Sequence, residues 1–333
     1  MEIQKTLSRV ICFCLPLLYS TVLAMDVEAQ APNRSTIAVA SDGDVGIWLM
    51  NDNGGGARLI LPIDGNPMPS GLVWSPDGTM IAFHTEIDKN VDIYVVNGDG
   101  ENLRKLTEHE SEDSWPTWHP SGQKIAFHTN RDGNLEIYTM TSRGDILDNL
   151  TNDAVKDHYP AWSPDARRIA FASKRGKTLG DIFLMSQNGE ILENLTNVRG
   201  EDFQPRWSWD GKQIAWTSAR NGAAEIWAMD ADGANTRQIS DLQDPKAAGF
   251  RVREPSWSPD GKLIASAALG GGSATIRVHS AKGNLNWMDL QAIGAQDRSP
   301  AWFDPKFVVE FSVTPVEKRP MTWGWVKQIV QDD

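Results

Sequence analysis

Short apolar runs alternate along this chain with polar, turn-forming stretches, and the alternation has a long period. One class of run ends in tryptophan. Trp74, Trp118, Trp162, Trp207, Trp257 and Trp302 stand 44, 44, 45, 50 and 45 residues apart, each two residues after a proline or its equivalent. Five of them continue into a turn: Ser75-Pro76-Asp77-Gly78, His119-Pro120-Ser121-Gly122, Ser163-Pro164-Asp165-Ala166, Ser208-Trp209-Asp210-Gly211 and Ser258-Pro259-Asp260-Gly261. Proline presets φ at the first central position and glycine supplies φ > 0 at the end, which predicts a tight hairpin. A second apolar run follows, as in Ile81-Ala82-Phe83, Ile125-Ala126-Phe127, Ile169-Ala170-Phe171, Ile214-Ala215-Trp216 and Ile264-Ala265-Ser266. A polar loop leads to a third, headed by Ile93-Tyr94, Ile137-Tyr138, Ile182-Phe183, Ile226-Trp227 and Ile276-Arg277. A glycine-bearing turn leads to a fourth, ending near Leu106-Thr107, Leu150-Thr151, Leu195-Thr196 or Ile239-Ser240. Four such runs per unit predict the four strands of one propeller blade.

The ends of the pattern set the number of blades. Thr36-Ile37-Ala38-Val39, Ile47-Trp48-Leu49-Met50 and Arg58-Leu59-Ile60 form a set lacking its first strand, and Pro300-Ala301-Trp302 is a first strand lacking its set. The fold class expected is therefore all-β: a six-bladed β-propeller of four-stranded blades over residues 36–304, closed by a blade shared between the N- and C-terminal segments. Closure of this kind removes free sheet edges. An alternative has Phe307-Val308-Val309-Glu310-Phe311 as the second strand of the closing blade. The tryptophans read as packing between neighbouring sheets.

The 333-residue chain is 40% hydrophobic, enough for a large core. Residues 1–24 differ from the rest: Lys5 and Arg9 precede an apolar stretch from Val10 to Ala24 that ends in Val22-Leu23-Ala24. This reads as a cleaved secretory signal rather than a membrane span, with residues 25–35 a short linker and 305–333 a C-terminal strand or tail. Both cysteines, Cys12 and Cys14, lie in the signal, so a mature chain beginning near Met25 carries no thiol chemistry. The formal charge of −12 is a poor match for nucleic acid or an anionic membrane. The expected location is periplasmic or secreted.

The units Pro160-Ala161-Trp162-Ser163-Pro164-Asp165 and Trp74-Ser75-Pro76-Asp77-Gly78, followed by Ile-Ala-Phe, Ile-Tyr and Leu-Thr, resemble the WD-repeat-like propeller units of the TolB family, over residues 36 to about 303. The resemblance implies a periplasmic protein-binding platform of the Tol-Pal type. A full TolB carries an α/β domain ahead of its propeller, and residues 25–35 are too few for one, so the resemblance covers the propeller part only. Similar blades occur in prolyl-oligopeptidase-type peptidases and in oligogalacturonate lyases. No Gly-x-Ser-x-Gly is present for the former, and the six histidines do not form the metal pattern of the latter.

Propeller ligands usually meet the loops that enter each innermost strand. Asp113, Asp157, Asp202 and Asp297 each fall three residues before their proline. They read either as an acidic ring for a cation or basic segment, or as residues that each close their own loop. Neighbours that do not repeat are better candidates for a partner surface: Trp115, His158, Tyr159, Phe203, Gln204, Arg206, Glu254 and Arg298. One connection, Asp241 to Glu254, is longer than its counterparts and adds Lys246, Phe250, Arg251 and Arg253, residue types that binding surfaces favour. His84 and His128 share a position in neighbouring units but lack a third ligand, and Asp230-Ala231-Asp232-Gly233 lacks the closing glutamate of a calcium loop. No metal or cofactor is expected. The function expected is a non-enzymatic binding module with a protein partner, acting as a monomer. The alternative is a small propeller enzyme, a lyase, lactonase or hydrolase on a sugar or lactone, with a divalent metal in the channel.

Overall fold

The turn after each tryptophan is closed by its own side chains. Ser75, Ser163, Ser208 and Ser258 donate their hydroxyls to Asp77, Asp165, Asp210 and Asp260 at 2.6–2.7 Å. The same serine oxygens accept N–H groups from Met80, Arg168, Gln213 and Leu263 five residues on, at 2.9–3.0 Å. The turn thus satisfies its polar groups locally, and the chain reverses into the next strand.

The computed structural model describes residues 32, 34–63, 68–176, 179–240, 251–283, 287–290 and 293–307. The signal segment, Phe311 and the rest of the C-terminal tail, and the loop residues Lys246 and Phe250 lie outside them. Strands β1 (Thr36–Ser41), β2 (Gly46–Asn51) and β3 (Arg58–Pro62) open the chain. Five complete antiparallel blades follow. They are β4 (Ser70–Trp74) to β7 (Arg104–Lys105), β8 (Asp113–Trp118) to β11 (Ile146–Asn149), β12 (Asp157–Trp162) to β15 (Ile191–Asn194), β16 (Asp202–Trp207) to β19 (Arg237–Gln238), and β20 (Arg251–Trp257) to β23 (Trp287–Asp289). The last strand, β24 (Arg298–Phe303), pairs with β1 to give the order β24-β1-β2-β3. The closing blade therefore joins both ends of the chain, and its second strand is β1 rather than the segment around Phe307.

The Leu-Thr signature has a structural reason. The N–H groups of Leu106, Leu150, Leu195 and Ile239 bond the carbonyls of Ile93, Ile137, Ile182 and Ile226 at 2.8 Å. The next residue then turns its hydroxyl back: Thr107, Thr151, Thr196 and Ser240 accept the N–H of the same four isoleucines at 2.8–3.0 Å. A side chain thereby finishes the ladder where the fourth strand leaves the sheet.

Between consecutive blades lie layers of buried apolar side chains, one per interface among the described residues. All six repeat tryptophans are buried. Removing roughly 150–250 Å² of each from water is worth about 4–6 kcal/mol on an area basis. Three reach across to the preceding blade: the indole N–H of Trp74, Trp207 and Trp257 bonds the carbonyl of Ala301, Ala161 and Arg206 at 3.1 Å. Each acceptor is the residue just before the neighbouring blade's own tryptophan.

Candidate binding surface at the channel mouth

The innermost strands β4, β8, β12, β16, β20 and β24 surround the channel, and every one of them carries an irregularity at the same place. Their pairing shifts register between Ser70 and Val73, Ser114 and Thr117, His158 and Ala161, Phe203 and Arg206, and Arg253 and Ser256, and opposite Ala38 to Ala40 on β1. The residue preceding the proline position is left-handed in all six: Gly71 (φ 63°), Trp115 (56°), Tyr159 (56°), Gln204 (56°), Glu254 (58°) and Ser299 (50°). Only glycine adopts this conformation freely; the other five carry roughly 1–3 kcal/mol each of backbone strain.

Neighbouring blades hold the strained residues in place. The Gly71 N–H donates to Ser299 Oγ at 3.1 Å, Trp115 N–H to His84 Nδ1 at 3.3 Å, Tyr159 N–H to His128 Nδ1 at 3.1 Å, and Glu254 N–H to Gln204 Oε1 at 3.3 Å. His84 and His128 are thus acceptors between blades. Since His128 Nδ1 accepts, its Nε2 carries the proton and faces Ser114 Oγ at 2.8 Å. Burial pushes His84 down to about 3, and holds His128 well below the usual imidazole range, so both stay neutral. Among the described residues no group of three or more His, Cys, Asp or Glu side chains is arranged to hold a metal ion.

The repeated aspartates do not form a ring open to the channel. Asp113, Asp157 and Asp202 are buried and face Arg131, Arg175 and Arg220 of the hairpin between second and third strands. Arg131 reaches both oxygens of Asp113 at 2.9 and 3.1 Å, Arg220 reaches Asp202 at 3.0 Å, and Arg175 pairs with Asp157. Each guanidinium also lies over two rings of its own blade: Phe127 and Tyr138, Phe171 and Phe183, Trp216 and Trp227. Asp297 closes its own loop, accepting the N–H of Ile293 at 2.8 Å and of Gly294 at 3.1 Å. The loop-closing alternative thus describes Asp297, whereas Asp113, Asp157 and Asp202 each pair with an arginine of another hairpin, a partner the sequence reading did not connect to them. The signal was present as Thr129-Asn130-Arg131, Ser173-Lys174-Arg175 and Ser218-Ala219-Arg220, in three consecutive blades.

The candidates that do not follow the repeat are brought together at the mouth, though not all as exposed side chains. An aromatic arc runs across consecutive blades. His84 lies 5.3 Å from Trp115, Trp115 4.7 Å from Tyr159, and Tyr159 6.0 Å from Phe203, with the Arg253 guanidinium 5.7 Å from the Phe203 ring. Trp115, Tyr159, Phe203, Arg253 and Arg298 are half-buried and Arg251 is exposed. Arg298 donates to Gln296 at 2.7 Å. The Nε atoms of Arg253 and Arg298 have no partner among the described residues.

His158 and Gln204 differ from that set, because both are buried. His158 packs edge-on to His128 and against Tyr159, and burial lowers it to about 4. Gln204 bridges blades through Glu254 and accepts Thr217 Oγ1 at 3.1 Å. Glu254 accepts the Ser299 hydroxyl, and burial raises its carboxyl above the usual range. Gln204, Glu254 and Ser299 sit around a void of only about 10 Å³ that Trp115 and Arg206 also line, and form a tight cluster, the plug.

The model of the TolB β-propeller domain matches residues 64–159 and 149–322 of this sequence, most of its length. The chain belongs to the TolB β-propeller family. No curated protein sequence matches it. Among solved structures, this TolB-family propeller superposes on TolB from Acinetobacter baumannii with a TM-score of 0.68 at 22% identity, covering 81% of this chain and 66% of that one. A putative TolB from Agrobacterium tumefaciens gives 0.61 at 20% identity, covering 78% and 88%. A chain of the hydrazine synthase of Kuenenia stuttgartiensis gives 0.64 at 14% identity, covering 84% and 48%. At these identities the structural likeness speaks for the fold alone. The chain spans slightly less than two thirds of the Acinetobacter TolB.

Proposed function

We propose that this TolB-family propeller is an exported, non-enzymatic binding module that docks a protein partner over the mouth where the innermost strands begin. The observation that carries this reading is the aromatic arc Trp115-Tyr159-Phe203 with Arg253 at its end. Each member departs from the repeat and is half-buried, Trp115 and Tyr159 at the left-handed position itself and Phe203 and Arg253 one residue before it. Trp, Tyr and Arg dominate the binding energy of protein interfaces, because large stiff side chains lose little entropy on contact. A half-buried ring held by its neighbours is already ordered, so docking immobilises little more. The N-terminal apolar segment supports export.

The test compares wild type with Phe203→Ala and Arg253→Ala, used as bait on the native envelope fraction with chemical crosslinking and then titrated against the recovered partner. Truncating a central anchor is expected to cost about 2 kcal/mol or more, roughly thirtyfold in affinity. Both variants should still melt cooperatively. Folded variants that bind as well as wild type would remove the mouth as the site.

A further inference from the structure

The opposite end of the channel is built differently. Where the innermost strands end, the six repeat tryptophans and Trp209 surround a cavity of about 180 Å³, with Pro76, Pro120 and Pro164 of the following turns at its rim. Among the described residues that line it, Arg206 alone is charged. Arg206 departs from the repeat: its counterparts are Val73, Thr117, Ala161, Ser256 and Ala301. Its guanidinium makes a single hydrogen bond, from Nη1 to the carbonyl of Pro205 at 3.3 Å, and no ion pair among the described residues. Glu254, which attracts it electrostatically, belongs to the plug and does not line the cavity. Burial lowers the guanidinium to about 10, the direction expected of a cation that has lost water without gaining a full partner.

We infer that this cage is a second binding site, separate from the partner-docking mouth, and that it takes a small aromatic monocarboxylate. The aromatic walls accept a ring edge-on or offset. A carboxylate is the group whose geometry matches a guanidinium fork. Arg206 is the one charged residue among the described residues that line the cavity, which suits one negative charge rather than a dianion. The volume is that of a one-ring acid, well below the roughly 300 Å³ at which pockets for drug-sized ligands begin. The same chemistry is offered by a free acid or by the C-terminal phenylalanine of a peptide.

Calorimetric titration of the full chain with hydrocinnamate, and with its neutral amide, tests the site. One-to-one binding of the acid is expected, at least about tenfold tighter than that of the amide. Arg206→Gln should bring the acid down to the level of the amide while leaving the amide unchanged. Arg206→Lys, which keeps the charge but loses the fork, should fall between. Tyr159→Ala at the other mouth should leave hydrocinnamate binding intact, which separates this site from the partner surface. A second arm uses acetyl-Ala-Phe with a free or amidated C-terminus, and the tighter of free acid and free peptide identifies the source. Absence of binding by both acids at millimolar concentration overturns the inference. So does equal binding of acid and amide by wild type, a comparison that needs no variant to fold, or an Arg206→Gln protein that melts cooperatively and binds the acid as wild type does.

Discussion

At the scale of single residues, the repeat tolerates exceptions that leave a measurable mark. The last turn position after the tryptophan is left-handed at Gly78, Gly122, Gly211 and Gly261, with φ near 70°, and in one blade it is Ala166 at φ 62°. An L-residue there is strained by about 1–2 kcal/mol, partly offset because alanine restricts the unfolded chain. Ala166→Gly is therefore expected to stabilise the protein by roughly 0.5–1 kcal/mol in urea denaturation. Histidines give a second residue-scale expectation. His128, His158 and His279 are buried, and burial holds all three below the usual imidazole value, His158 at about 4 and His279 at about 3. Their folded pKa values lie below the unfolded one, so the stability they support is present above about pH 6.5 and is lost as pH falls toward the folded values. Between pH 7.5 and 5.5 each should cost roughly 1 kcal/mol. Asp157 runs the other way: burial raises it to about 6 despite Arg175, so the native state gains on protonating it in that window. The net expectation is a melting temperature that drops on mild acidification, and a flat profile would contradict the neutral state of these buried imidazoles.

At the scale of elements, the turn between third and fourth strands packs closely on the neighbouring blade. A Cβ on Gly100 would meet the Ile60 carbonyl oxygen at 1.9 Å, and one on Gly144 the Leu106 oxygen at 2.4 Å. The corresponding distance from Gly189 to the Leu150 oxygen is 2.3 Å. Each turn thus presses on the backbone where the preceding blade's fourth strand ends, and backbone cannot yield as a flexible side chain can. Both glycines used for the test have positive φ, 95° at Gly100 and 103° at Gly144, so alanine would add conformational strain to the clash. Gly100→Ala and Gly144→Ala are each expected to cost at least about 2 kcal/mol by chemical denaturation. Gly122→Ala, whose Cβ would meet nothing within 4 Å, should cost only the left-handed strain of about 1–2 kcal/mol. A similar loss at all three would mean that interblade contact at these turns contributes little.

At the scale of the whole molecule, closure is the property that the six interfaces share. Trp302 is the residue on which it converges. Its ring packs among Ile37, Val39 and Met50 from the start of the chain and Ile276 and Val278 of the preceding blade. Its indole N–H reaches Ser35 Oγ at 2.9 Å, and its backbone N–H reaches Ser256 Oγ at 3.0 Å. Trp302→Ala should cost about 3–5 kcal/mol. Deleting residues 300–333 should remove cooperative melting, because it strips β24 from β1 and exposes a sheet edge at the channel wall. A truncated protein with an unchanged melting curve would contradict the shared blade.

How far the sequence alone reached follows from which interactions are local. Blade number, strand order and the split closing blade were legible because they depend on a period in the chain. The Ser-Pro-Asp-Gly turns satisfy themselves within six residues, and the tryptophans mark each repeat. Trp115, Tyr159, Phe203 and Arg253 could be singled out because they break that period. What the chain could not show is which radial neighbour each side chain meets. Asp113 and Arg131 are eighteen residues apart and pair only because a hairpin folds back. Ser299 and Gly71 are 228 residues apart and bond only because the ring closes. Depth in the channel was equally hidden. Tyr159 and Gln204 occupy the same left-handed position in their blades, yet one belongs to the half-buried arc and the other to the plug. The difference between a docking mouth at one end and a tryptophan cage around Arg206 at the other is decided by tertiary structure, because it depends on which way six strands point as they meet at one axis.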